Sequence, residues 1–287
     1  MGDKVSKRRW TADGGQWLGV IVFAAVAALA MIWVASQQRE EDAAWARIRL
    51  TGVLRVATDA SYPPFSAVDE NGDLFGFDID LAEALGRRLG ARVEFENIAY
   101  DALLAAVVSG RNDVVISAFI PQLDKLHEAA FTRPYFVSGT VAVVKEEGGR
   151  KKEEGGSWAD WARGQRLAVE YGAGGDVAAR QWARQFAGQQ AAGVTVLPQP
   201  TAQDALLTLV NGAADAALVD AVTAYEFLRS QPGLALAGPP IEPEPYAIAV
   251  SARSRELLPA LNRALTEMEA DGTLPDLRAK WFGEAAR

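Results

Sequence analysis

Cysteine is absent from the chain, and histidine occurs once, as His127. Without cysteine the protein can form neither a disulfide nor a thiolate nucleophile, and it cannot carry a lipid anchor attached to a cysteine. A single imidazole supplies too few nitrogen ligands for a typical transition-metal site. The sequence therefore predicts no metal site and no other cofactor.

Positive charge is also scarce, because 29 lysines and arginines stand against 37 aspartates and glutamates, for a formal net charge of −8. The basic residues are dispersed and form no stripe that could follow a phosphate backbone, so we expect no nucleic-acid partner. The hydrophobic content is 49% of 287 residues. A chain of this size and composition predicts a globular protein of about two domains.

One long uncharged run lies near the N-terminus, at residues 18–35, after a basic segment. We interpret residues 1–17 as cytoplasmic, 18–36 as a transmembrane anchor and 37–50 as a charged helical linker. A cleaved signal peptide is the alternative, and the anchor is favoured because the run exceeds the usual signal core of about 7–15 residues. Both interpretations place the rest of the chain outside the cytoplasm, in the periplasm or on the outer face of the membrane.

From residue 53 onward, short apolar runs alternate with amphipathic segments. The runs "VLRVAT", "RVEFENI" and "DVVISAF" are typical of strands, and "DIDLAEALGRRLG" and "YDALLAAVVSG" are typical of helices. The charged, glycine-rich segment at 145–158 predicts a solvated loop, after which the same order restarts. The pattern predicts an α/β protein with two similar lobes, each built on a mostly parallel sheet.

Ligands of open α/β sheets bind beyond the carboxyl ends of the strands. In this chain the loops that follow four predicted strands supply carboxylates, tyrosines, glycines and a lysine. Their candidate residues are Asp59 and Tyr62, then Ser117, Ala118 and Lys125, then Gly172, Ala173 and Gly174, and finally Asp220.

Four segments in these regions form a recognisable set: "LRVATDASYPPFSAVDENGDLFGFDIDLAEALGRRLG", "SGRNDVVIS", "NGAADAALVDAVTAY" and "PYAIAV" with the helical segment after it. Together they resemble family 3 of the bacterial extracellular solute-binding proteins, which feed polar amino acids to ABC importers. The resemblance implies a two-lobed periplasmic-binding-protein-like fold of type II, a monomer that closes on a small solute and is read by a permease. It implies crossings near 143–145 and 242–246, with lobe 1 at 51–143 plus 243–287 and lobe 2 at 144–242.

The resemblance also assigns roles to individual residues. Tyr62 matches the aromatic residue that stacks on the ligand, and Tyr100 matches the opposite wall of the site. Asp59 matches an acid near the entrance loop. Asp220 matches the carboxylate of lobe 2 that holds the α-ammonium group through a charge-assisted hydrogen bond.

The carboxylate-binding side departs from the family pattern. Lys125 stands where the family has an arginine, Ile120 replaces a hydroxyl residue, and "GAGG" at 172–175 replaces a "GTT"-like turn, while Ser117 keeps its hydroxyl. Lysine is a flexible point charge without the two-donor fork of arginine. We therefore predict a ligand with a positive group, held by Asp59 and Asp220 between the two tyrosines, whose carboxylate is weakly held or absent.

Simpler roles exist for several of these residues. Asp220 could be a helix N-cap, and Asp78 and Asp80 need only the dipole of the helix that they begin. His127 lies two positions beyond Lys125 on a predicted helix and so on a different face, and we expect it to be a surface residue without a catalytic role.

Two other functions compete with solute binding. An enzyme of the cyclohexadienyl dehydratase type, acting on prephenate or arogenate, could use Asp220, Glu170 or Lys125 as acid or base. We predict that the protein is not an enzyme, since the sequence offers no nucleophile–base pair, metal site or phosphate loop. A ligand-sensing module is the second alternative, and receptors of that kind usually continue into a signalling domain.

Overall fold

The computed structural model describes residues 42–188 and 193–286. Ala44–Arg287 form one compact unit. No helix among the described residues is long and apolar enough to cross a membrane. The predicted anchor at 18–36, the preceding cytoplasmic segment and the first part of the linker lie outside the described residues.

The first half of the chain alternates strands and helices as predicted. It contains α1 (Ala43–Thr51), β1 (Val53–Thr58), β2 (Ala67–Val68), β3 (Leu74–Phe75), α2 (Phe77–Leu89), β4 (Arg92–Asn97), α3 (Tyr100–Val108), β5 (Val114–Val115), a 3-10 turn (Leu123–Lys125) and β6 (Ala129–Phe131).

The second half repeats this order and ends on helices. It contains β7 (Phe136–Lys145), α4 (Trp158–Ala162), β8 (Arg166–Glu170), α5 (Gly174–Gln185), β9 (Thr195–Gln199), α6 (Ala202–Val210), β10 (Ala216–Asp220), α7 (Ala221–Ser230), β11 (Leu234–Leu236), β12 (Glu242–Tyr246), β13 (Ala249–Ser251), α8 (Leu257–Ala270), α9 (Thr273–Phe282) and a final 3-10 turn (Glu284–Ala286).

Two main sheets organise the fold. The first has the strand order β4-β1-β5-β13-β6, and its first three strands are parallel. The second has the order β11-β7-β10-β8-β9, in which β10, β8 and β9 are parallel and β12 pairs with β7. β13 comes from the end of the chain and completes the first sheet. The chain therefore returns to the first sheet after it has passed through the second.

Helix α2 shows why the amphipathic pattern was a reliable guide. Its apolar positions Phe77, Leu81 and Leu85 are fully buried, each burial being worth about 1.5–3 kcal/mol. The helix ends at Gly90, which adopts a left-handed φ of 69° as expected for a glycine stop. The predicted helix is confirmed to within one residue at its start.

The chain crosses between the sheets along two paired strands, β7 and β12. Residues 136–140 of β7 lie antiparallel to Glu242–Tyr246. Residues 143–145 pair with β11, inside the second sheet. The positions of the two crossings, near 143–145 and 242–246, stay predictions. The residue boundaries of the two lobes stay a prediction.

Two segments outside the predicted core elements are attached to the protein. Ile48 of α1, in the last part of the predicted linker, is buried in the largest hydrophobic cluster of the described residues. Most of the 145–158 loop is exposed, as predicted, but Trp161 Nε1 donates to the Arg150 carbonyl at 2.8 Å and Arg150 donates back to the Trp161 carbonyl at 2.9 Å. The loop is therefore fixed against α4.

Gly139 lies in the β7–β12 crossing, with φ of 108°. A Cβ atom there would stand 1.9 Å from the Glu242 carbonyl oxygen. We expect Gly139→Ala to lower the free energy of unfolding by about 2–3 kcal/mol in chemical denaturation, because strand and backbone conformation must both shift. Gly110→Ala is the matched control, since Gly110 has φ of 78° and open space around it. Equal costs for the two variants would contradict this account of the crossing.

Candidate functional site

Asp59, Ser117 and Tyr100 meet at the carboxyl end of the first sheet. The Ser117 hydroxyl accepts a hydrogen bond from the Asp59 N–H at 2.9 Å. The Asp59 carboxylate accepts from the N–H of Tyr100 at 2.9 Å, where α3 begins, and from the N–H of Ser61 at 3.0 Å. The acid predicted for the ligand therefore also fixes its own loop and the start of α3.

Tyr62 and Tyr100 are the two exposed aromatic residues of this region, at 46% and 42% exposure. Each stacks on a buried phenylalanine. Tyr62 lies 5.3 Å from Phe65 between ring centroids, and Tyr100 lies 5.4 Å from Phe119. Phe65 is fully buried. Two supported rings thus remain accessible to a ligand.

Tyr62 is also tied to the crossing strands. Burial raises the pKa of Tyr246 on β12, and the Tyr246 hydroxyl has hydrogen bonds with Ser138 on β7 and with Tyr62. A residue predicted to touch ligand is therefore connected to both strands that run between the sheets.

Ala118 has a left-handed backbone, with φ of 44°, which is uncommon for a residue other than glycine. Its N–H points into the protein and donates to Asp78 Oδ2 at 2.7 Å and to the Tyr135 hydroxyl at 3.0 Å. A ligand can therefore not use this N–H without displacing those partners. The helix dipole alone does not explain Asp78, contrary to the sequence interpretation. Asp80 likewise bonds outside its helix, to Lys280 and Trp281.

The glycine-rich turn lies at the corresponding end of the second sheet. The Gly172 N–H donates to Asp176 Oδ2 at 3.1 Å, and the Ala173 N–H donates to the Glu170 carbonyl at 3.2 Å. A ligand carboxylate at this turn would compete with these bonds for the two N–H groups. Gly174 begins α5, and a Cβ atom there would stand 2.7 Å from the Thr140 hydroxyl.

Asp220 ends β10 and lies exposed beside this turn. Its Oδ1 accepts from the Thr223 N–H at 2.8 Å, so it caps α7 as the simpler interpretation predicted. Thr140 on β7 lies directly opposite Asp220 on one side and Glu242 on the other. Residues opposite each other in a sheet point to the same face. Two carboxylates therefore flank Thr140. No local sequence pattern marks Thr140 or Glu242 as a site residue.

Lys125 lies in a 3-10 turn that is followed directly by β6, so the α-helix predicted around it is wrong. Lys125 is half-buried, while Leu123 beside it is 76% exposed. His127 is exposed and lies 2.9 Å from Glu128, between Nε2 and Oε1. The helix-face argument that separated His127 from Lys125 therefore does not apply.

A cavity of about 470 Å³ lies elsewhere, at the end of the second sheet where β8 begins. Lys145, Arg150, Arg166 and Asp215 contribute to its lining. Arg166 pairs with Asp215 at 2.7 Å, and Arg150 donates to two backbone carbonyls. Because Arg166, Asp215 and Arg150 already bond to one another or to the backbone, the cavity is a weaker ligand site than the strand ends.

Residues 54–284 match the model of the bacterial extracellular solute-binding proteins, family 3. The chain belongs to this family. Among its relatives, a putative ABC transporter arginine-binding protein 2 of Escherichia coli strain K12 is 30% identical over 80% of the chain and 90% of the relative. The L-cystine-binding protein TcyJ of the same strain is 31% identical over 83% and 85%.

Solved structures agree with the fold. The L-cystine solute receptor of Neisseria gonorrhoeae, in an unliganded open conformation, has a TM-score of 0.67 at 25% identity and covers 84% of this chain and 97% of its own. An ancestral cationic amino acid solute-binding protein has a TM-score of 0.57 at 31% identity and covers 83% and 99%. The predicted family and the two-lobed α/β fold of this family 3 protein are confirmed.

Proposed function

We propose that this family 3 protein captures a small solute with a positive group between its two lobes and delivers it to the permease of an ABC importer. The observation that carries the proposal is the pair of exposed carboxylates, Asp220 and Glu242, on either side of Thr140. Neither takes part in an ion pair within the described part of the chain. Their charge is therefore available to a cation.

The tyrosines of the first sheet support the same ligand class. The face of a tyrosine ring attracts a cation with about 0.5–2 kcal/mol. Tyr62 and Tyr100 are held in place by buried phenylalanines and are nearly half exposed. A solute that enters from this side and reaches Asp220 would contact both lobes, which is the condition for favouring a closed form.

The relatives support an amino acid or a close derivative. Two of them are named for arginine and L-cystine, and another, from Escherichia coli strain K12, is named a histidine-binding periplasmic protein. We propose that a cationic amino acid or its decarboxylated amine is the ligand here, because Lys125 stands where the family has an arginine for the carboxylate.

Lys125→Arg tests this carboxylate argument. We expect the variant to bind L-arginine about tenfold more tightly in calorimetry, since the guanidinium fork can donate two bonds to a carboxylate. Agmatine, which is arginine without its carboxylate, should bind as before. Lys145→Arg, at the opposite end of the second sheet, is the matched control. A gain for both ligands, or for neither, would show that Lys125 does not face the carboxylate.

A thermal-shift screen of the full chain tests the function itself. A ligand that binds only the folded protein at 100 times its Kd stabilises it by about 2.7 kcal/mol. The screen contains L-arginine, agmatine, L-cystine and glycine betaine. These compounds differ in net charge and in whether they carry a carboxylate, so they distinguish the alternative ligand classes. We expect a melting-temperature rise with L-arginine or agmatine. A rise with none of the cationic compounds would refute the proposed ligand class.

We propose further that the protein is not a dehydratase, that it acts as a monomer outside the cytoplasm, and that residues 18–36 anchor it to the membrane. Turnover of prephenate and arogenate should be undetectable.

The chain of 30.7 kDa should remain with the membrane fraction at full size. A shorter, freely released protein would favour the cleaved signal peptide instead.

A further inference from the structure

Asp78 is a carboxylate in the interior of the first lobe, with no exposed surface. It occupies the second position of α2, and its own N–H donates to the Phe65 carbonyl at 2.9 Å. Its side chain reaches away from α2, where Asp78 Oδ2 accepts a hydrogen bond from the Ala118 N–H at 2.7 Å. Burial of a carboxylate costs free energy. This contact, between residues forty positions apart in the sequence, therefore requires a structural reason.

The partners of Asp78 form one shared hydrogen-bond system. The Ala118 N–H is shared between Asp78 and the Tyr135 hydroxyl, and the Tyr135 hydroxyl also donates to the Asp78 carboxylate. Tyr135 is fully buried. No group in the described part of the chain donates to the second carboxylate oxygen, Asp78 Oδ1. The carboxylate is therefore directed at the Ala118 backbone.

The segment that these bonds hold is the candidate ligand-binding turn at 117–119. Ser117 fixes the Asp59 loop, Phe119 supports the Tyr100 ring, and Ala118 between them has the left-handed φ of 44°. A left-handed alanine costs free energy and requires support from its surroundings. Asp78 and Tyr135 give that support from the protein side of the turn.

Among the described residues, no basic side chain forms an ion pair with the Asp78 carboxylate. On the adjacent elements, Arg278 of α9 donates to the Tyr135 carbonyl and pairs with Glu269 of α8. Asp80 of α2 pairs with Lys280 of α9. The Tyr135 N–H donates to the carbonyl of Tyr246 on β12 at 3.0 Å, and the Tyr246 hydroxyl lies near enough to act on Tyr135 electrostatically.

Burial raises the pKa of Asp78 to about 7, against the opposing effect of the hydrogen bonds from Tyr135 and Ala118. Its charge therefore changes between mildly acidic and mildly alkaline solution. The ionised form accepts both hydrogen bonds with a full negative charge, and such bonds are about twice as strong as neutral ones.

We propose that Asp78 is a positioning residue for ligand binding, because its ionised carboxylate holds the 117–119 turn in the shape that binds the solute. Loss of the Asp78 charge loosens the turn and weakens binding. This inference rests on the proposed function for its effect on affinity, but its effect on the turn can be measured without any ligand.

The first test uses the free full-length protein and compares hydrogen exchange of the 117–119 turn at one fixed pH, 8. We expect the Ala118 amide to exchange at least tenfold faster in Asp78→Asn than in wild type, with no change in Asp80→Asn. Tyr135→Phe, which leaves the carboxylate in place, should give an intermediate rate and serves if Asp78→Asn does not fold. Unchanged exchange in both Asp78→Asn and Tyr135→Phe would overturn the inference.

The second test measures the affinity for L-arginine and agmatine at pH 6 and pH 8. Wild type should bind more weakly at pH 6, by about tenfold, whereas Asp78→Asn should bind weakly at both pH values. His127→Gln is the control because histidine also titrates between about pH 5 and 8, and it should keep the wild-type dependence. A pH dependence that survives in Asp78→Asn and disappears in His127→Gln would overturn the inference. If wild type binds neither compound, the proposed ligand class fails, and the exchange test alone decides the role of Asp78.

Discussion

Asp220→Asn should weaken binding of a cationic solute by at least about a hundredfold. Removing one partner of a buried, hydrogen-bonded charge pair costs about 2–5 kcal/mol, because the other charge loses its counter-ion. Asparagine is as good an N-cap as aspartate, so the bond from the Thr223 N–H and the start of α7 should remain. The free energy of unfolding should therefore change by less than about 0.5 kcal/mol. Calorimetry and chemical denaturation of the same preparations separate the two roles.

Asp204→Asn is the matched control for Asp220→Asn. Asp204 also lies in the first turn of a helix in the second half of the chain, where it accepts from the Thr201 hydroxyl at 2.8 Å. Asp204→Asn changes the net charge by the same amount as Asp220→Asn but leaves the strand end at Asp220 intact. A large loss of affinity in both variants would indicate a general charge effect. Unchanged affinity in Asp220→Asn would remove this carboxylate from the ligand site.

Between pH 5 and pH 8, the free energy of unfolding of wild type should fall by about 2–3 kcal/mol relative to that of Asp78→Asn. The pKa of Asp78 is about 7 in the folded protein, above its ordinary value of 3.8. The folded state therefore retains this proton more strongly than the unfolded state. The resulting stabilisation is fully present below about pH 4 and is lost as the pH rises through 7.

The measurement is the difference in unfolding free energy between wild type and Asp78→Asn at each pH. Wild type should lose stability relative to the variant as the pH rises from 5 to 8, because asparagine does not ionise. Asp80→Asn should show no such trend. A constant difference between wild type and Asp78→Asn would mean that the Asp78 carboxylate does not titrate in this range.

Much of the fold could be predicted because it depends on local pattern. The spacing of Phe77, Leu81 and Leu85 is set by the geometry of one helix, and Gly90 stops that helix by its own backbone freedom. The strand ends follow from the same patterns. This is why Asp59 and Ser117 could be placed together before their contact was known.

The remainder depends on contacts between distant segments. Asp78 has the spacing of an ordinary helix-start acid, and only the fold brings Ala118 and Tyr135 to it. Glu242 becomes a candidate because β12 lies beside β7, which no local pattern reveals. The helix predicted around Lys125 failed because β6 begins at Ala129 and pairs with β13, which ends the turn early.

Titration of the full chain with L-arginine and with agmatine, under the same buffer and pH 8, tests the central claim most directly. We expect saturable binding to one site, with an affinity for agmatine that is within about tenfold of that for L-arginine or higher. The reason is that Asp220 and the tyrosines hold the positive groups, whereas Lys125 contributes little to binding of the carboxylate. Tight binding of L-arginine or of uncharged amino acids, together with no binding of agmatine, would contradict it.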